Sequence, residues 1–370
     1  MKAFTKLSLA LFFLSILFNG CSRKEQKTSG TKTFEEKIDS LFVTVPNFSG
    51  VALIAEKGIP IYHKAFGYLN FETKTPMDTT SLFELASVSK QFTAMVIMML
   101  KEEGKLNYDD VVEKYLPGLP YKNITIRQLL THTSGLPDYQ AIMDEHWDKS
   151  KVAGNADILE YLKKYHPDKQ FEAGEKYEYS NTGYVLLGSI AEKASEIDFV
   201  AFCRERIFNP VEMTSTDIRS LQEKALIENF ALGHIYVSEK QRYVRADSFP
   251  TSNYTIWLGN RKGPGRISST SSDLLKWDRA LYTENFIKKT TLNEAFAPMK
   301  LNSDSLSNYG FGWEIETSKL GKVVRHSGDN PGYKTHVIRY IDADKTVILL
   351  CNNAHEKYEE VLKGIEGLVE

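Results

Sequence analysis

The chain has 370 residues, a formal net charge of −2, 42% hydrophobic residues and 25% charged residues. That is long enough for one large domain or two interlocked ones, and apolar enough to bury a substantial core. The near-neutral balance supplies no electrostatic footprint for nucleic acid, so no nucleic-acid partner is expected, and there is no internal repeat.

Lys2 and Lys6 form a basic start, and Leu7 to Phe18 form an apolar run too short to span a bilayer comfortably. Residues 1–20 therefore read as a secretion signal of the lipoprotein type. The run ends at Phe18-Asn19-Gly20-Cys21, with glycine before the cysteine that would carry lipid. Phe18 and Asn19 depart from the leucine and small residue usual there, and an ordinary signal cut nearby is the alternative. Residues 21–34 read as a polar tether. The protein is thus expected to be exported to the cell envelope, anchored to the membrane through lipid on Cys21 and facing the periplasm. Cys203 in a helix-like stretch and Cys351 at the end of an apolar run read as buried small hydrophobes. Free thiols are expected there, although spacing alone does not decide against a disulfide.

The domain then occupies residues 35–370. Ser49 to Ala55 reads as a strand, Lys57-Gly58 as a turn, and Ile59 to Tyr68 as the hairpin partner. Residues 87–103 carry Phe92, Met95, Val96, Met99 and Leu100 at helical spacing, and Gly104 stops that helix. Ile126 to Leu130, Asp157 to Tyr165, Thr182 to Ser195, Phe199 to Phe208 and Ser272 to Leu281 read as further helices. Residues 236–266 lack periodicity and suit a long surface loop near a pocket mouth. Phe311 to Glu316, Lys322 to His326, Tyr333 to Ile341 and Thr346 to Cys351 read as strands, and His355 to Val369 as a final amphipathic helix. The expected fold class is α+β: an antiparallel sheet built from both chain ends, with flanking helices and a helical lobe inserted over about residues 105–300. A cleft between lobe and sheet would bring His326 next to Ser87.

Three short motifs occur in order. Ser87-Val88-Ser89-Lys90 puts a hydroxyl and an amine on one face of a helix start, where the amine can hold or remove the hydroxyl proton. Unpaired backbone N–H groups there favour developing negative charge. Tyr179-Ser180-Asn181 precedes a helix, and His326-Ser327-Gly328 ends a strand. Singly these patterns are common: Ser29 to Lys32 repeats the first, and Tyr68-Leu69-Asn70 and Tyr121-Lys122-Asn123 repeat the second. Each residue also has a plainer use, Ser87 as a helix cap, Lys90 as a solvated charge, and His326 and His132 as structural histidines. The order and local setting of the three carry the argument.

On these motifs the chain resembles the serine β-lactamase/penicillin-binding-protein superfamily, in its class C and D-Ala-D-Ala carboxypeptidase branch, over about residues 35–355. Leu129 to Pro137, Tyr309-Gly310-Phe311-Gly312-Trp313 and Gly263 to Leu274 are also similar to that family. The resemblance implies a β-lactamase/transpeptidase-like fold and a serine hydrolase that works through an acyl-enzyme on Ser87. Lys90 would take the serine proton if burial lowers its pKa. Tyr179, made more acidic between ammonium groups, would pass it to the leaving group. Asn181 would orient the substrate; Ser327, Gly328 and Asp329 would receive its backbone, and the N–H of Ser87 and one after Gly328 would form an oxyanion hole. His326 stands where the family carries a lysine that grips a carboxylate. Histidine titrates near neutrality and reaches less far, so a lysine at 326 is expected to raise cephalosporin turnover.

The substrates implied are D-amino-acid peptides, small esters or β-lactams, with no metal, no cofactor and a monomeric protein. A true β-lactamase is the competing enzyme, and a non-catalytic cell-wall peptide-binding protein the competing binder. Tyr139 and Trp257 fall either at the pocket border or in ordinary loop packing.

Overall fold

The computed structural model describes residues 32–370, so the segment read as a signal, Cys21 and most of the tether lie outside the described residues. Near the N terminus, β1 (Gly50–Glu56) and β2 (Ile59–Phe66) form a hairpin. Four late strands, β3 (Glu314–Ser318), β4 (Gly321–Asn330), β5 (Tyr333–Tyr340) and β6 (Lys345–Cys351), complete an antiparallel sheet in the order β3-β4-β5-β6-β1-β2. The two chain ends join where β1 pairs with β6, with Gly50 opposite Cys351 and Glu56 opposite Lys345. This is the α+β arrangement expected from the strand pattern.

The sheet is apolar on both faces, which explains why its central strands read as unbroken hydrophobic runs. Val51, Leu53, Ile348 and Leu350 face the larger core. Ala52, Ile54, Val347 and Leu349 alternate onto the opposite side, against helices Phe34–Val43 and Tyr358–Val369. Thr33 starts the first of these helices with a capping box to Glu36. Against the larger core lie helices Lys90–Glu102 and Asn181–Ser195. Each buried leucine- or isoleucine-sized side chain there contributes roughly 1.5–3 kcal/mol. No helix among the described residues is long and apolar enough to cross a membrane.

Several elements differ from the sequence expectation. Residues 236–266 do not form a loop: His234–Val237 and Arg242–Arg245 pair as a hairpin, and Tyr254–Trp257 is a short helix. The turn between the two strands contains neither glycine nor proline, and Gln241 takes the left-handed φ of 47° instead, so the usual turn signal is missing. Strand β3 starts at Glu314 rather than Phe311 because Gly312, at φ 79°, bends the chain closely over Lys90. A Cβ at Gly312 would stand 2.8 Å from the Lys90 carbonyl oxygen. Phe199–Cys203 is α-helical, but the chain then widens into a π-turn over Arg204–Phe208. Helix Tyr139–His146, capped by Asp138, had no strong apolar period to announce it. Cys203 and Cys351 are buried free thiols.

Candidate active site

Glu84 ends the short strand Phe83–Glu84, which pairs with Ile267–Ser269. The chain then turns through Ala86, whose φ of 50° is a left-handed conformation that costs a residue with a Cβ about 1–2 kcal/mol. A 3₁₀ turn over Ala86–Ser89 continues into helix Lys90–Glu102. Lys90 therefore lies one turn beyond the partly exposed Ser87, and its Nζ stands 3.0 Å from Ser87 Oγ. The same Nζ is 2.8 Å from Asn181 Oδ1 and 2.9 Å from the Pro264 carbonyl.

Burial, aided by the nearby Arg261 charge, drives the Lys90 pKa far below that of an ordinary lysine. A neutral amine has two N–H bonds and one lone pair. The oxygens of Asn181 and Pro264 can only accept, so they take both N–H bonds. In the ammonium form the third N–H goes to Ser87 Oγ; once that proton is lost, the lone pair is left for Ser87, whose hydroxyl can then donate. That is the hydrogen-bond pattern of a general base beside a nucleophile.

Tyr179 closes the other side, with Lys90 Nζ 4.8 Å from its ring centre. Its pKa is pushed up, not down: burial of the phenol dominates, and a hydrogen bond toward Ser87 offsets it only in part. The acidic phenol expected between ammonium groups is absent, because burial of the phenol outweighs whatever would lower its pKa. Tyr179 is 39% exposed as a residue, so one edge of it borders the open cleft.

His326 lies in β4, which runs on past it to Asn330 instead of ending there, and it does not titrate near neutrality. It is 1% exposed, and burial, aided by Lys90, lowers its pKa to about 3. Nδ1 lies 2.6 Å from the Ser327 carbonyl and must carry the hydrogen, so Nε2 accepts from the Tyr309 hydroxyl at 2.8 Å. Both ring nitrogens are occupied, and no charged group is offered to a substrate from this position. His132 is a second buried, neutral histidine, held at φ 56°. Its Nδ1 accepts the Ser180 N–H at 3.0 Å, and its ring lies 4.2 Å from that of Tyr179 and 4.6 Å from that of Tyr309.

Gly328 has a different task from the one its sequence setting suggested. A Cβ there would meet the Leu85 carbonyl and Thr335 Oγ1, each at 2.2 Å. The close approach it permits is by the turn that carries Ser87. Ser327 is half-buried, and Asp329 is exposed and 3.6 Å from Lys334. A cavity of about 60 Å³ beside Ser87 is lined by Asn181, Gln140, Tyr254, Arg261 and Asp329, among others. Tyr139 is buried behind it and accepts from Arg261 Nη1 at 2.9 Å; Trp257 lies in the core.

The structure thus brings together Ser87, Lys90, Tyr179 and Asn181, with His326 one layer behind. Pro264, Tyr309, Arg261 and Arg266 were not singled out from the sequence. Tyr309, Pro264 and Arg266 stood in stretches already noted as family-like, but Pro264 acts through a backbone carbonyl, which no side-chain pattern announces. The chemistry this arrangement supports is proton removal from a serine hydroxyl and attack on a carbonyl.

Comparison with known proteins gives a consistent result. The sequence matches the Beta-lactamase family over residues 38–367. It is 43% identical over 340 residues to Penicillin-binding protein 4* of Bacillus subtilis, covering 90% of this chain and 75% of that one. The octameric penicillin-binding protein homologue from Pyrococcus abyssi superposes with a TM-score of 0.74 at 27% identity, over 90% of this chain and 76% of that chain. D-amino acid amidase from Ochrobactrum anthropi SV3 does so with a TM-score of 0.70 at 25% identity, over 91% and 98%.

Proposed function

This chain belongs to the Beta-lactamase family, within the superfamily of β-lactamase-fold and penicillin-binding-protein-like serine hydrolases, and from that membership we propose an exported acyl-enzyme hydrolase acting on D-amino-acid peptides or amides and small esters. Ser87 Oγ attacks the substrate carbonyl as its proton passes to Lys90. The tetrahedral oxyanion rests on the N–H of Ser87 and a β4 N–H after Gly328. Tyr179, a neutral phenol, relays the proton to the leaving group, and the acyl-serine forms as that group departs. Water then attacks the ester with the same groups returning the proton. The observation that carries this reading is the buried Lys90 amine, 3.0 Å from Ser87 Oγ and held on its other sides by Asn181 Oδ1 and the Pro264 carbonyl. The names of the relatives, a penicillin-binding protein and a D-amino acid amidase, support the substrate class.

A true β-lactamase is the second reading, favoured by the family match. Against it stands His326, buried and neutral where a carboxylate-gripping cation would be needed. A non-catalytic peptide binder would not need a base set against Ser87. The proposal includes a monomeric enzyme, although the Pyrococcus abyssi homologue is octameric. Export and lipid attachment at Cys21 rest on the sequence of residues 1–21. A hydrolysis screen of nitrophenyl esters, D-alanyl peptides and nitrocefin tests the proposal. Ester or D-alanyl turnover that disappears in Ser87→Ala is expected; nitrocefin as the sole good substrate would favour the second reading.

A further inference from the structure

Next to the cleft lies a larger chamber of about 480 Å³. Glu84, Arg266 and Asn330 line both spaces, so Arg266 faces the catalytic cleft on one side and the chamber on the other. Glu84 and Lys224 form a close buried ion pair. Arg266 Nη1 is 3.5 Å from Glu84 Oε1 and 3.3 Å from the Thr255 carbonyl. One carboxylate therefore serves two buried cations.

The rest of the Arg266 guanidinium is unserved. Nε and Nη2 are buried without a hydrogen-bond partner, and the side chain is only 4% exposed. The residue is also held at φ 83°, a conformation suited to glycine. The chain thus accepts both backbone strain and two desolvated, unpaired N–H groups to hold this cation here. Nε and Nη2 are the side-on fork that fits the two oxygens of a carboxylate. Arg204 turns the same two nitrogens on a carboxylate, both reaching the single oxygen Oδ2 of Asp217, at 3.2 Å and 2.8 Å. At the rim, Arg245 is already paired with Asp247, and Glu228 is exposed to solvent.

We propose that the acyl part of the substrate carries a carboxylate that docks on Arg266 Nε and Nη2, at the boundary of cleft and chamber. This rests on the reading of Ser87 as the acylated nucleophile and names the class of acyl group it accepts. Glu84 is a positioning residue: it pairs with Lys224 and lies 3.5 Å from Nη1, while Nε and Nη2 stay buried and without a partner until the carboxylate enters.

Paired 4-nitrophenyl esters of equal chain length, ending in a carboxylate or in its primary amide, test the site. At one chain length the acid should be hydrolysed with a kcat/KM at least tenfold above that of the amide. Arg266→Gln should bring the ratio close to one, and Arg266→Lys should retain part of it. A wild-type ratio near one throughout the series, or an undiminished ratio in Arg266→Gln, overturns the proposal. Binding of the same acid and amide to Ser87→Ala, followed by calorimetry, separates it from the hydrolase reading. The acid should bind at least tenfold more tightly whether or not the wild type turns either ester over, and equal binding overturns the anion site.

Discussion

Gly328→Ala tests whether strand β4 sets the position of the nucleophile. The added methyl would stand 2.2 Å from the Leu85 carbonyl and 2.2 Å from Thr335 Oγ1, with Ala86 Cβ at 3.2 Å. Ordinary contact begins at about 3.4 Å, so strand and turn must part by about 1.2 Å. Neither neighbour is the free end of a flexible side chain: one is backbone, and the other is tied to that backbone by a 2.8 Å bond from Thr335 Oγ1 to the Leu85 carbonyl. Overpacking of this kind costs about 1–3 kcal/mol. The turn that moves carries Ser87, and a misplacement of about 1 Å lowers a rate about 10²-fold. Melting followed by circular dichroism should drop by several degrees, and kcat/KM on a 4-nitrophenyl ester by about two orders of magnitude. Gly367→Ala is the control: nothing lies within 4 Å of the added methyl, and the helical site should gain up to about 1 kcal/mol without loss of rate. A Gly328→Ala protein within threefold of wild-type kcat/KM would refute the coupling between β4 and the Ser87 turn.

Asn181→Leu removes one of the two oxygens that take the Lys90 N–H bonds, and a buried donor without a partner costs about 1–3 kcal/mol. Its kcat/KM should fall tenfold or more in steady-state assays, and the thermal midpoint should drop by a few degrees, because the donor left unpaired, Lys90, is buried. His326→Lys, which the sequence alone suggested would raise cephalosporin turnover, should instead destabilise the protein. It would strip the Tyr309 hydroxyl of its partner and place an ammonium group beside Lys90, so nitrocefin assays should show no gain. Acid should weaken both activity and fold. Lys90 must be neutral to accept the Ser87 proton, so kcat/KM should fall as pH drops through its lowered pKa. For stability, His326 takes a proton near 6.5 when unfolded but only near 3 when folded. Burial raises the Glu84 pKa, but the charges of Arg266 and Lys224 outweigh it and hold it at about 2 against an ordinary 4.5. In both cases the unfolded chain binds protons first, so the unfolding free energy from urea titrations should decline as pH falls below 6.5. A flat profile from 6.5 to 3 would contradict these burials.

Much of the fold was legible because its signals are local. The apolar runs that became β1 and β6, and the helical spacing of Phe92, Met95, Val96 and Met99, are patterns that neighbouring residues alone produce. Ser87 and Lys90 were legible as a pair for the same reason, being one helical turn apart. What stayed hidden depends on contacts far apart in sequence. The Pro264 carbonyl reaches Lys90 across 174 positions, and the imidazole of His326 loses its charge because Tyr309 and the surrounding core enclose it. Gly328 was noticed, but the atom that needs its missing side chain belongs to Leu85. Arg266 stood inside the family-like stretch Gly263 to Leu274, but its unpaired fork exists only once Glu84 and Thr255 are folded around it.

The central claim is that Ser87 is a nucleophile activated by a neutral Lys90. Mass spectrometry after reaction with a fluorophosphonate serine probe, at a series of pH values, tests it most directly. A single adduct mapping to Ser87, forming faster as pH rises through the Lys90 titration and absent from Ser87→Ala, is the predicted result. No adduct, or equal labelling of the wild type and Ser87→Ala, would contradict it.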